Sequence, residues 1–229
     1  MPTRRRSRFL PVSISAFLAF VPATASADWL IAGYVGAAHT PKTTLHVTPD
    51  NGTTADLSDV EFEGRAFKSP PYYGYRISWI PDSGGSGTRS RLGVEAEFTH
   101  AKTIAIDTGS TALTAFEQSH GLNFVLGNVA LRWPPFCGGR CVGVARVGGG
   151  VTLPHVEATY LGQRGESYQF GGPAMQGGLG LEITAARGLT VIGDARVTYT
   201  HVNDDLPGAT LSASFTSWHI SAGVGWKFR

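Results

Sequence analysis

Ser217-Trp218-His219-Ile220-Ser221-Ala222-Gly223-Val224-Gly225-Trp226-Lys227-Phe228 is the stretch that decides the fold. In an extended chain, side chains alternate between two faces. Trp218, Ile220, Ala222, Val224, Trp226 and Phe228 then share one face, and Ser217, His219, Ser221, Gly223, Gly225 and Lys227 share the other. The bulky residues are all on the apolar side, and the opposite side is small or polar. A strand of this kind fits a wall with hydrocarbon outside and a confined polar space inside.

The same alternation recurs upstream. Leu92, Val94, Ala96 and Phe98 oppose Arg91, Glu95, Glu97 and Thr99, and Tyr73, Tyr75, Ile77 and Trp79 oppose Arg76 and Ser78. Leu189, Val191, Ala195, Val197 and Tyr199 oppose Asp194, Arg196, Thr198 and Thr200. Met175, Leu179, Leu181 and Ile183 oppose Gln176, Glu182 and Thr184. Eight strands are predicted: Asp28–His39, Pro70–Ile80, Ser90–Lys102, His120–Trp133, Val142–Leu153, Pro173–Ala186, Leu189–Val202 and Ser214–Phe228. The first and fourth alternate less cleanly, and a bulge is expected in the fourth.

No run of about 18 apolar residues follows Asp28, so a spanning helix is excluded. Lipid offers the backbone no hydrogen-bond partners, so a spanning sheet must close on itself. The expectation is an all-β, eight-stranded antiparallel transmembrane up-and-down barrel. Connections after odd strands are long and polar, and those after even strands are short and rich in Gly or Pro. That asymmetry predicts long loops outside the outer membrane, with short turns and both mature termini in the periplasm. A soluble sandwich would turn these apolar faces inward. A closed barrel has no free edge, so a monomer is expected.

The N-terminus reads as a targeting segment. Arg4, Arg5, Arg6 and Arg8 precede an apolar run over Phe9–Val21, and Ala25-Ser26-Ala27 matches a signal-peptidase site. Residues 1–27 are expected to be cleaved, leaving 28–229 as one barrel domain. An uncleaved anchor is the alternative. Four of the 19 basic residues leave with the segment, so 15 face 17 acidic ones and the net charge becomes −2. With no basic stripe and no matching motif, nucleic-acid binding has no support. Delivery of such a chain implies the barrel-assembly machinery as a partner during insertion.

Cys137-Gly-Gly-Arg-Cys141 is the one cysteine pair. In an oxidising compartment it predicts a local disulfide, worth roughly 2 kcal/mol for so short a loop. Two thiols without a nearby His are a poor metal site.

Arg76, Glu95, Glu97, Arg146, Glu182, Asp194 and Arg196 are assigned to the lumen. An eight-stranded barrel is only wide enough for side chains to fill it. Buried charge is expensive unless paired, so an ion-pair network is expected in place of an open pore. A general acid/base pair of Glu95 and Glu97 is the alternative.

The histidines are placed unevenly. His39, His100, His155 and His201 lie at or just past the ends of odd strands, His120 opens an even one, and His46 lies in the first long loop. All are predicted at the outer rim, with His219 just below it on the lumen side. Imidazole is both a common metal ligand and the usual proton-transfer group near neutral pH. Several at one rim would bind a divalent or redox metal, with Glu61, Glu63 or Glu157. The alternative is that a rim next to polar headgroups simply suits His.

Ser69-Pro70-Pro71-Tyr72-Tyr73-Gly74, Glu97-Phe98-Thr99-His100-Ala101-Lys102, His120-Gly121-Leu122-Asn123 and Leu153-Pro154-His155-Val156-Glu157 resemble segments of the small outer-membrane lipid A oxidases. The likeness spans most of the mature chain. It implies an OmpA/OmpX-like barrel that oxidises the proximal glucosamine of lipid A with oxygen, in contact with outer-membrane lipid and lipopolysaccharide. Three of those segments carry a rim histidine. The candidate catalytic residues are therefore His100, His120, His155 and Glu157, which are also the metal candidates. Lys102 and Asn123 are candidates for substrate binding.

Two other functions fit the same fold, because one barrel hosts many roles. One is a non-enzymatic OmpA/OmpX-like surface barrel serving envelope integrity or adhesion. The other is lipid A deacylation by a Ser/His pair. Ser119 and His120 are adjacent, which on a strand would point them to opposite faces.

Overall fold

The computed structural model describes residues 27–82 and 89–229. Of the expected signal segment only Ala27 is among them, and most of the short connection expected between the second and third predicted strands also lies outside. The described residues form fourteen strands: β1 (Ala27–His39), β2 (Thr43–Pro49), β3 (Ala55–Glu63), β4 (Tyr73–Pro81), β5 (Arg91–His100), β6 (Thr103–Asp107) and β7 (Leu113–Gln118), then β8 (Phe124–Arg132), β9 (Cys141–Thr152), β10 (His155–Tyr160), β11 (Gln163–Tyr168), β12 (Gly172–Thr184), β13 (Leu189–Leu206) and β14 (Ala209–Phe228).

Eight of these close an antiparallel barrel in the order β1-β4-β5-β8-β9-β12-β13-β14, with β1 pairing back onto β14 from Trp29↔Phe228 to His39↔Trp218. They correspond to the eight predicted strands. The outward and inward faces agree with the alternation: Trp218 and Trp226 are 59% and 55% exposed, while Glu95 and Glu97 are 4% and 3% exposed. Ile31, Val35, Tyr75, Ile77, Val94, Val129, Val147, Leu179, Ile220 and Val224 extend the apolar outer wall around the ring. So wide an apolar belt is a surface for hydrocarbon.

The lumen is filled. Four carboxylates (Glu95, Glu97, Glu182 and Asp194) meet four guanidiniums (Arg76, Arg132, Arg146 and Arg196), all buried. Arg76 bonds Glu97 at 2.8 Å and Asp194 at 3.2 Å, Arg132 bonds Glu95 and Glu182 at 2.8 and 2.9 Å, and Arg146 bonds Glu95 at 2.8 Å. Arg146 also pairs with Asp194, and Arg196 with Glu97. Glu97 accepts in addition from Tyr34, Asn128 and Gln176 at 2.7, 2.9 and 2.6 Å. Gly180 leaves the room this requires: a Cβ there would meet both Asp194 and Arg146. A gap among Arg76, Arg146, Gln176, Asp194 and Arg196 measures about 10 Å³, about one water.

Arg132 was not assigned to this network from sequence, because β8 was hard to read. The expected bulge is absent: β8 keeps continuous register with β5 and β9. Its inward row (Phe124, Leu126, Asn128, Ala130, Arg132) is nearly as apolar as its outward row, and residues 120–123, read as strand, lie outside it.

The long connections differ from expectation. They are six further strands, and β13 and β14 run on beside them. The sheet order β13-β14-β2-β3-β6-β7-β10-β11 follows the same circuit as the barrel, making a second tier upon the first. The seam between β11 and β13 is bridged by Gln169, which both donates to the Asp205 carbonyl (2.9 Å) and accepts from its N–H (2.7 Å). This tier is packed inside with Leu45, Val47, Val60, Phe62, Leu113, Phe116, Val156, Leu211 and Phe215.

β14 shows what separates the tiers. From Ser217 onward its inward residues are Ser217, His219 and Ser221, and its outward residues include Trp218, Ile220 and Val224. Before that point the inward residues are Ala209, Leu211, Ala213 and Phe215, and the outward ones are Thr210, Ser212, Ser214 and Thr216. Both faces exchange character at one place. The first tier is oily outside and polar inside; the second is the reverse.

The disulfide expected between Cys137 and Cys141 is not formed. Both are free thiols, Cys137 being exposed. Cys137 takes a left-handed φ of 52° in the reverse turn, while Cys141 begins β9 and its backbone pairs with Phe136. The turn is already closed by backbone hydrogen bonds between Phe136 and Cys141 at 2.8 and 3.1 Å.

Candidate active site

Where the tiers meet, the strands break. β5 gives way to β6 through Ala101-Lys102, β7 to β8 through residues 119–123, and β9 to β10 through Leu153-Pro154. These breaks bring His100, His120, Asn123, His155 and Glu157 to the outer wall, not to the lumen.

Residues 119–123 form a turn with Gly121 at φ 88° and Asn123 at φ 50°. Gly121 lies against His100, and a Cβ there would be 2.5 Å from its Nδ1. The Asn123 amide nitrogen donates to the His120 and Leu153 carbonyls, both at 3.0 Å. Its oxygen is therefore turned to His100 Nδ1, 2.9 Å away. An amide oxygen only accepts, so Nδ1 carries the proton and the neutral ring keeps its lone pair at Nε2. That Nε2 is buried and has no hydrogen-bond partner among the described residues. The ring is stacked on Tyr73 at 5.0 Å and 18°. Held in this way, His100 is a base with a fixed direction.

The ring lines a cleft of about 400 Å³ together with Pro70, Tyr73, Phe98, His120, Asn123, Leu153 and Tyr168. Tyr73 and Phe98 belong to the apolar outer rows of β4 and β5, so the cleft continues the wall that faces hydrocarbon.

Beside it stand His120, His155 and Glu157, with one ligand atom from each within 4.8 Å of the others. Glu157 Oε1 is 3.6 Å from Nδ1 of both imidazoles. Ser119 donates to the same oxygen, and Arg164 holds Oε2 at 3.1 Å. The Ser119 hydrogen bond, followed in importance by Arg164, holds the Glu157 carboxyl below its ordinary pKa, against the opposing effect of burial.

The two residues expected to bind substrate are occupied otherwise. Asn123 spends its amide on His100 and the turn. Lys102 donates to the carbonyls of Ser69 and Lys68 at 3.0 and 3.3 Å, fastening the β3–β4 connection. Burial lowers its pKa, and neighbouring Arg65 adds to the effect. Glu61 pairs with Lys42, and Glu63 with Arg65, so neither joins the histidines. His46 bonds Asp56, His201 bonds Ser214, and His219 is enclosed between Tyr72 and Thr198.

Ser119 was weighed from sequence only as a Ser/His pair with His120, a pairing weakened because adjacent residues on a strand face opposite ways. It lies in the turn, with Oγ 3.2 Å from His120 Nδ1. The trio Ser119, His120 and Glu157 nevertheless lacks the order of a nucleophile relay. There the carboxylate binds the imidazole nitrogen remote from the serine. Here Glu157 takes the serine proton itself and approaches the same nitrogen.

No protein-family model matches this chain, and none of the curated proteins matches it. Among solved structures, outer membrane protease OmpT from Escherichia coli is similar over 90% of this chain and 99% of its own, with 8% identity and a TM-score of 0.50. Neisserial surface protein A covers 89% of this chain and 99% of its own, at 12% identity and a TM-score of 0.42. Ail, the attachment invasion locus protein of Yersinia pestis, covers 89% and 99%, at 14% identity and 0.37. At such identities the OmpT likeness is one of fold, that of an outer-membrane barrel.

Proposed function

We propose that this protein is an outer-membrane enzyme that oxidises lipid A at the outer wall, next to His100. The observation that carries the reading is His100, whose ring lines an apolar cleft in the outer wall and whose buried Nε2 has no hydrogen-bond partner among the described residues. In β14 the outward apolar row runs from Trp218 to Phe228. Ten steps of about 3.3 Å at a tilt near 40° give a height of about 25 Å, the apolar band of such barrels. The second tier then stands outside the cell, the termini lie in the periplasm, and the cleft opens at the headgroups of the outer leaflet.

A lipid A molecule meets this cleft from the side, its acyl chains along Tyr73 and Phe98 and its sugar beside His100 and His120. Oxidation at an anomeric carbon of the proximal glucosamine that carries a free hydroxyl removes two protons, one from the C–H bond and one from the hydroxyl, together with two electrons. Dioxygen takes these up as hydrogen peroxide. His100 Nε2 accepts the hydroxyl proton, and Asn123 keeps that nitrogen free by holding the other. The protein works as a monomer in contact with lipid and lipopolysaccharide, after insertion by the barrel-assembly machinery.

Mass spectrometry of lipid A from cells with and without the gene tests the reading. His100→Ala and His155→Ala barrels should fold and leave lipid A unoxidised. Loss of one acyl chain would point to a deacylase, and unchanged lipid A on gene deletion to a structural surface barrel.

A further inference from the structure

We propose that His120, His155 and Glu157 bind a divalent first-row transition metal at the edge of the cleft. Its use in oxidation rests on the reading above; its binding does not.

The first support is geometric. Metal bonds of about 2.0–2.2 Å meeting near the tetrahedral angle put neighbouring ligand atoms about 3.4–3.6 Å apart. Glu157 Oε1 is 3.6 Å from each imidazole Nδ1. The two rings, 4.6 Å apart between centroids, need only a small inward turn of exposed His120.

The second support is a vacancy in the hydrogen bonding. His155 is 6% exposed, and its Nδ1 has no hydrogen-bond partner. Leaving such a group unsatisfied costs about 1–3 kcal/mol, a cost that a bound cation offsets.

The third comes from strand register. On the outer face of the second tier, Glu157 of β10 is paired with Glu117 of β7 on one side and Glu166 of β11 on the other. Like charges directly opposite each other destabilise a sheet; Arg164 pairs with Glu157 and Glu166 and Lys102 lies in the field of Glu117, so two positive charges meet three carboxylates. Glu157 between the two imidazoles, with Glu166 3.8 Å from His155 Nε2, suits a cation.

The surroundings orient the ligands. Ser119 and Arg164 fix the two oxygens of Glu157, and the Tyr168 ring stands edge-on to His155 at 4.5 Å. Outer partners of this kind align ligands for a metal. Two imidazoles and one carboxylate leave coordination positions open, and that donor set suits iron and its neighbours in oxygen chemistry.

The test uses the mature protein folded in detergent, stripped with EDTA and titrated with Co²⁺, read by visible absorption and by elemental analysis. One cobalt per chain is expected, with His120→Ala and His155→Ala each weakening binding at least 10-fold. Ser119→Ala should weaken it less, and His46→Ala not at all. Heat-modifiable migration on gels reports whether each variant is folded. A folded wild-type barrel that takes up no cobalt overturns the proposal, as does a folded His120→Ala/His155→Ala protein that binds as tightly as wild type. If metal binds as described but lipid A is never oxidised, the site stands and the oxidase reading falls. If the stripped, metal-free protein oxidises lipid A at full rate, the metal's use in oxidation falls and the oxidase reading stands.

Discussion

The side-chain amide of Gln118 donates to the Asp204 carboxylate at 3.0 Å across the apolar interior of the second tier. The other oxygens of the pair, Asp204 Oδ1 and Gln118 Oε1, have no partner. Burial pushes the Asp204 pKa up to about 7; the Gln118 hydrogen bond opposes the rise, and neighbouring Asp205 adds to it. A carboxyl whose pKa is higher folded than unfolded holds its proton more tightly in the folded state. Its contribution is full below the unfolded value of about 4, falls as pH rises, and is lost above about 7. Asp204→Asn supplies an uncharged donor for Gln118. It should raise the melting temperature at pH 8 and change it little at pH 5; thermal melts giving equal shifts at both pH values would contradict this.

The lumen makes a larger demand. Glu97→Ala leaves Arg76 and Arg196 without the carboxylate that both engage. Removing one partner from a buried ion pair costs about 3–5 kcal/mol. Urea unfolding in detergent should report a loss of that size, and a loss below about 1 kcal/mol would mean that water reaches these side chains.

Gly121→Ala separates catalysis from folding. A methyl group at φ 88° and 2.5 Å from His100 Nδ1 must push the ring away from Asn123. The strained backbone costs about 1–2 kcal/mol, so the barrel persists. Misplacing a catalytic group by about 1 Å can cost about 100-fold in rate, and lipid A turnover should fall to that extent. Full activity in this variant would remove His100 from the mechanism.

Cys137 and Cys141 should both react with a maleimide in the folded protein, since both are free. Replacing the pair with Ser should change stability by less than about 0.5 kcal/mol. A loss near 2 kcal/mol would be that of a disulfide.

The first tier was legible because each strand carries its own record of which face meets oil. Trp218 and Ile220 could be assigned without knowing any neighbour. β8 was harder, since Phe124, Leu126 and Ala130 point inward and are as apolar as Val125 and Val129 outside. The second tier was missed for a different reason. Its strands are short, with apolar positions such as Leu45 and Val47, or Val156, Ala158 and Tyr160, set among Thr, Asp and Gly that read as loop. That period-two signal was present and could have been followed. The candidate histidines were found from their positions at strand ends. Glu157 was named beside them through the resemblance, but its register between Glu117 and Glu166 was not legible, because that pairing depends on how hairpins from distant parts of the chain close into one sheet. The Ser119–His120 contact was discounted because β8 begins at Phe124, four residues later than the alternation suggested, which leaves both residues in a turn.

On the proposed function, the exchange of polarity along β14 also ties activity to the thickness of the membrane. The oily stretch that matches the bilayer and the ledge that carries the reactive groups belong to one rigid wall. A bilayer a few ångströms thinner or thicker raises or sinks that ledge relative to the sugars, at an energetic cost of only fractions of a kcal/mol per ångström. Acyl-chain length would then act as a gauge of turnover, with no change in any residue that touches the substrate.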